Sequence, residues 1–141
     1  MKKLLVAIDG SEHSKKAFQL ALSMTKGQNV ELVLLNVQPT YHSPNVKRFV
    51  NLQQIREYQE ELSQEAFDII LSDANLADDV HLSKKVRLGD PGTEICKEAK
   101  EINATLIIMG NRGLGPIKRA VLGSVSYSVL HNATCPVTIV P

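Results

Sequence analysis

Apolar residues in this chain occur as short continuous runs, separated by longer stretches in which they recur every third or fourth position. Leu4 to Ile8 is one such run, stopped by Asp9-Gly10, and predicts a strand buried on both faces. Ser11 is placed to cap a helix through about Lys26, with Ala17, Leu20, Ala21 and Met24 on its apolar face and Gly27 ending it. Val30 to Val37 predicts a second buried strand closed by Pro39, and the prolines and polar residues over 39–50 predict a loop. From about Asn51 to Leu76, Leu52, Ile55, Leu62, Ala66, Ile69 and Ile70 recur at helical spacing on a charged background. His81 to Leu88 alternates as a third strand, followed by Gly89-Asp90-Pro91-Gly92. Pro91 stands where a helix begins, and Ile95, Ala99 and Ile102 give that helix its stripe. Thr105 to Met109 predicts a fourth buried strand running into Gly110. A last helix follows Gly123 with Val125, Val129 and Leu130 inward, and Pro136 to Val140 is a final short strand.

Five short strands alternating with helices imply parallel pairing, right-handed crossovers and helices on both faces. The fold class is α/β: a single domain with a doubly wound, five-stranded parallel sheet. Such a sheet binds ligands beyond the carboxyl ends of its strands, where the strand order reverses. Asp9, Val37, Gly89 and Gly110, each ending or following a strand, therefore belong on one rim.

Composition narrows the function class. The 141 residues suit one domain, and 43% hydrophobic content supplies a buried core. A net charge of +1 gives no long-range pull toward nucleic acid or a membrane surface. The chain has no Trp and few other aromatics, which argues against base-stacking platforms. Cys96 and Cys135 form no C-x-x-C and are expected as free thiols in a reducing cytoplasm. No segment approaches the ~18 apolar residues that span a bilayer, so a cytoplasmic protein without membrane contact is expected. His13, His42, His81 and His131 have no metal-ligand spacing, and no nucleophile-base pair can be assembled.

One stretch is better explained by a ligand than by folding. Gly110-Asn111-Arg112-Gly113 is followed, after nine residues, by Gly123-Ser124. Glycines let backbone approach an anion, and a Gly-Ser entering a helix adds free N–H groups, a hydroxyl and the positive end of the helix dipole. It is not a Walker A loop, and Gly113-Leu114-Gly115 lacks the third glycine of a dinucleotide fingerprint. The expected cradle has the amides of Gly113 and of Gly123 to Val125 around phosphates, with hydroxyls from Ser124 and Ser126. Arg112, Lys118 and Arg119 would supply positive charge. The plainer alternative is that these glycines only form turns and a helix start. Asp9 is open to two roles, contact with a ribose, adenine edge or metal-bound water, or a turn carboxylate ahead of Ser11. Val37 either offers its backbone to an adenine edge or is simply core.

At these residues the chain resembles the universal stress proteins. The likeness runs from Leu5-Val6-Ala7-Ile8-Asp9-Gly10-Ser11-Glu12-His13-Ser14, through Gly89-Asp90-Pro91 and Met109 to Gly113, to Leu122 to Ser126 and Cys135 to Val140. It covers 1–141 as one domain, and the bipartite glycine motif is that of the family's ATP-binding branch. The resemblance implies strand order 3-2-1-4-5 and adenine or ribose contacts at Ala7, Asp9, Val37, Met109 and Gly110. It implies phosphate contacts at Gly113, Gly123, Ser124 and Val125. The implied ligand is ATP, with ADP and AMP sharing its adenosine contacts, accompanied by Mg²⁺. The implied assembly is a homodimer through Pro136 to Val140. Pro116 departs from the pattern but touches no motif glycine. These expectations describe a regulatory protein whose signal is nucleotide occupancy, the alternative being a slow ATPase or autophosphorylating phosphotransferase.

Overall fold

The computed structural model describes residues 1–40, 51–111 and 122–141. Its strands are β1 (Lys2–Ala7), β2 (Val30–Gln38), β3 (His81–Leu88), β4 (Leu106–Gly110) and β5 (Val137–Val140). They pair in parallel in the order β3-β2-β1-β4-β5. The chain moves outward from β1 to β3, then returns to the other side of β1 for β4 and β5. The reversal places the switch point between β1 and β4.

Four helices are described: α1 (Glu12–Ser23), α2 (Leu52–Leu71), α3 (Pro91–Glu101) and α4 (Ser124–Asn132). Strand alternation sorts the core into two layers. Leu4, Val6, Leu32 and Leu34 face α1 and α2, meeting Phe18, Ala21, Phe67 and Ile70. Leu5, Val33, Leu35 and Met109 face the opposite way, against Ile95 and Ala99 of α3 and Val129 of α4. Both faces are covered, and the central strands β1 and β2 read as near-continuous apolar runs for that reason.

Three of the four described helices start on a side-chain cap. Ser11 caps α1 by accepting from Ser14 N at 3.1 Å. Asn51 and Gln54 form a reciprocal capping box on α2. Asp90 caps α3 ahead of Pro91 at the first helical position.

Four expectations shift. The α2 helix stops at Leu71 rather than near Leu76. Beyond it, Ser72, Asp73, Asn75 and Asp78 favour turns over helix, and no buried stripe continues. In α1 the inward stripe is Ser14, Ala17, Phe18 and Ala21; Leu20 and Met24 lie outside it and are exposed. On α2, Leu52 and Ile69 are exposed. In α4, Val129 is fully buried but Leu130, one residue on and about 100° around the helix, is exposed.

Candidate functional site

The carboxyl ends of β1, β2 and β4 and the first turn of α4 surround a cleft of about 160 Å³. From the end of β1 and the turn after it come Ala7 and Asp9; from β2, Leu35 and Val37; from β4, Met109 and Gly110. Gly123, Ser124 and Val125 close it from the start of α4. Eight sequence-nominated residues thus line one cavity; Arg112 and Gly113, with Pro116, Lys118 and Arg119, lie outside the described residues. The cleft also takes in Ser126, which the motif reading expects there, and Pro91 and Ile95 from α3, Ser14 and Asn111, which it does not. Pro91 and Ile95 were within reach of topology, because α3 starts at the rim where β3 ends.

The cleft lining mixes apolar walls with a few polar groups. Leu35, Val37, Ile95 and Met109 supply the apolar walls. Asp9, Asn111 and Ser124 supply polar groups. Asp9 is exposed, and its Oδ1 accepts from Ser11 N at 2.9 Å, so it shapes the β1–α1 turn while bordering the cleft. Gly10 makes this turn possible with φ +84, a left-handed value that side chains resist.

Asn111 joins β4, β5 and α4. Its N–H donates to Val140 O at 2.9 Å. Gly123 N donates to both Asn111 O, at 3.2 Å, and Asn111 Oδ1, at 3.3 Å. Ser126 Oγ donates to Gly110 O at 3.0 Å and Asn111 O at 2.9 Å. These bonds pin the N-terminus of α4 to the end of β4. They also correct the expected cradle: the Ser126 hydroxyl proton is committed to carbonyls, and the Gly123 amide already has partners. The amides of Ser124 and Val125, in the first turn of α4, have no partner within the helix and carry its positive pole.

Two motif glycines have reasons other than a ligand. A Cβ on Gly110 would stand 2.5 Å from His13 Cβ and 2.7 Å from His13 C, so β4 can meet α1 only without a side chain there. Gly89 does not line the cleft; at φ +143 it turns β3 into α3, and a Cβ would meet Glu94 Oε1 at 2.8 Å.

Behind that turn, α3 is tied to β3 by charge. Arg87 bonds Glu94 at 2.8 Å and both Glu98 and Glu101 at 2.9 Å. Burial pushes the Glu98 carboxyl up, but Lys85 and Arg87 outweigh it and hold Glu98 below the usual range. Lys85 Nζ stands 2.9 Å from Glu98 Oε2 as an ion pair without hydrogen-bond alignment. The carboxylates facing it raise the Arg87 guanidinium still further above its ordinary value.

The model of the universal stress protein family matches residues 1–141. The chain is 35% identical over 144 residues to universal stress protein YxiE of Bacillus subtilis, covering 98% of this chain and 97% of YxiE. Among solved structures it superimposes on hypothetical protein MJ0577 with a TM-score of 0.71 at 26% identity, covering 99% and 94% of the two chains. A universal stress protein solved in complex with cAMP gives a TM-score of 0.70 at 23% identity, covering 99% and 97%.

Proposed function

The chain belongs to the universal stress protein family, and from that premise we propose that it binds an adenine nucleotide, ATP first, and acts through occupancy of the site. The observation that carries the reading is the cleft at the switch point, whose lining combines apolar residues, suited to a base, with the N-terminus of α4, suited to a phosphate. The likeness to the cAMP-bound protein extends to the fold alone; the reading rests on this chain's own residues.

In this reading Ala7, Val37 and Met109 hold the adenine, with the Val37 backbone at the base edge. Asp9 and Gly110 border the ribose. Gly113 and the free amides of Ser124 and Val125 receive the phosphates, Gly123 lets them approach without a side chain in the way, and Arg112 adds charge. Ser124 is exposed at the first position of α4, where its hydroxyl and amide are both available to a phosphate. Mg²⁺ fits this donor set, since it is ordinarily held by one or two carboxylates plus phosphates and water. Asp9 is the carboxylate lining the cleft among the described residues, and Mg²⁺ bound there would neutralise phosphate charge.

Among the described lining residues Asp9 is the one carboxylate or imidazole base, and its Oδ1 is engaged by Ser11 N, which favours holding the nucleotide over hydrolysing it. Incubation with ATP and Mg²⁺ tests this directly. Binding with less than about one turnover per hour is expected; sustained ADP release, or phosphate on Ser124, would establish the slow-enzyme alternative instead.

The proposed assembly is a cytoplasmic homodimer through β5. That edge strand, Val137–Val140, carries no charge, and its residues remain half-exposed in the single chain. The other edge, β3, carries Lys84, Lys85 and Arg87. A two-fold continuation of the sheet through the middle of β3 would set Lys84 or Lys85 against its own copy, which like-charge repulsion opposes. Among the described residues no helix is long and apolar enough to cross a membrane.

A further inference from the structure

On the reverse side of the sheet, directly behind the cleft, the core turns polar. The residues of β2 that face α2 run Leu32, Leu34, Asn36, Gln38, so the apolar series stops only at the rim. Asn36 is 3% exposed, and Gln38, Gln59 and Ser63 are buried with it. Asn36 Nδ2 donates to Ile8 O at 2.6 Å. Its Oδ1 accepts from Ser63 Oγ of α2 at 2.8 Å and from Gln38 Nε2 at 2.7 Å. Gln59, one turn before Ser63 on α2, donates to Pro39 O at 2.6 Å.

Asn36 therefore uses both acceptor sites of its amide oxygen and one of its two donors. A leucine would continue the packing of Leu32 and Leu34, so position 36 needs no polar side chain to be filled; with Asn36 there, Ile8 O, Gln38 and Ser63 depend on it for their partners. What the network does fasten is backbone that borders the cleft. Ile8 lies between Ala7 and Asp9, and its carbonyl is held by Asn36. Val37 lies between Asn36 and Gln38, both anchored, and faces the cleft.

We propose that Asn36 is a positioning residue for base recognition: with Ser63 and Gln38 it sets the β1 and β2 backbone so that the Val37 peptide presents its donor and acceptor to the base edge. This rests on the adenine reading of the cleft. Discrimination at such a site comes from hydrogen bonds left unpaired by the wrong base, so small displacements of the peptide erode selectivity before they erode phosphate binding. It also makes α2 a lever on the site, through Ser63.

The test is the ratio of ADP to IDP affinity, because IDP changes the base edge and leaves the sugar and phosphates alone. Wild-type protein is expected to prefer ADP by tens of fold. Asn36→Leu should cut that ratio about tenfold or more, with IDP affinity nearly unchanged. Ser63→Ala, a milder change outside the cleft, should cut it about threefold, and Ser63→Thr, which restores the hydroxyl, should recover it. A merely structural network would lower the melting temperature and leave the ratio untouched. An unchanged ratio in folded Ser63→Ala and Asn36→Leu overturns the proposal. If wild-type protein binds neither ADP nor IDP, the nucleotide reading fails and the proposal falls with it.

Discussion

Replacing Gly110 by alanine drives a methyl group into the first turn of α1. The new Cβ would lie 2.5 Å from His13 Cβ, 2.7 Å from His13 C and 2.8 Å from His13 O. Carbon atoms in contact settle at about 3.5–4.0 Å, so the turn must retreat by about 1 Å. Two of the three obstacles are backbone atoms, which no rotamer change can move aside. Overpacking costs about 1–3 kcal/mol, and a backbone obstacle places Gly110→Ala near about 3 kcal/mol. At about 3–4 °C per kcal/mol for a chain of this size, the melting temperature falls by about 10 °C. The loss belongs to the contact between β4 and α1, so it must appear in protein stripped of nucleotide. Thermal and urea melts of nucleotide-free wild type and Gly110→Ala measure it. Were the glycine needed only for close approach of a ligand, the stripped variant would melt within about 2 °C of wild type while losing nucleotide affinity. That result would refute the packing argument.

Three further outcomes follow from the same contacts. Gly92→Ala pushes a Cβ against Ser128 where α3 meets α4, and should cost about 2 kcal/mol. Ser128→Gly removes the obstacle, so the double mutant should recover about 1 kcal/mol over additivity; additive losses would sink the contact. Glu94, chiefly through Arg87, and Glu98, despite burial, have carboxyls held below their ordinary value of 4.5. They bind protons more weakly folded than unfolded, so their stabilisation is present above that pH and is lost as pH falls through their folded values. Arg87→Met should therefore cost about 2 kcal/mol at pH 7 and flatten the dependence of the urea midpoint on pH between about 3 and 5; an unaltered slope contradicts the assignment. Burial pushes the Cys96 and Cys135 thiols up, with Cys135 adding to the effect on Cys96. Iodoacetamide at about pH 8 should label them at least ~10-fold more slowly in folded than in unfolded protein, and equal rates would contradict their burial.

The strands were legible because two-sided burial writes itself as apolar runs at Leu4–Ile8 and Leu32–Leu35, while their order came with the family likeness. Helix faces were read less well. On α1 Phe18 and Ala21 face inward and Leu20 faces out, since neighbouring positions on a helix lie about 100° apart and apolarity alone does not choose between them. Leu130 was misplaced beside Val129 for the same reason. In the candidate site, topology alone brought Asp9, Val37 and Gly110 to one rim. The role of Gly110 was not legible, because its neighbour is a helix turn far away in sequence. Nor were the bonds of Ser126 and the Gly123 amide, which depend on how closely α4 sits against the end of β4. Asn36 and Ser63 gave no motif at all; only the break in an apolar series on β2 hinted at them.

The central claim is that the cleft holds an adenine nucleotide. Native mass spectrometry of the purified protein titrated with ATP and Mg²⁺ tests it most directly. One ATP per chain, displaced by ADP and lost in folded Gly123→Val, is the predicted result. A folded protein that stays free of nucleotide at millimolar ATP would contradict the account.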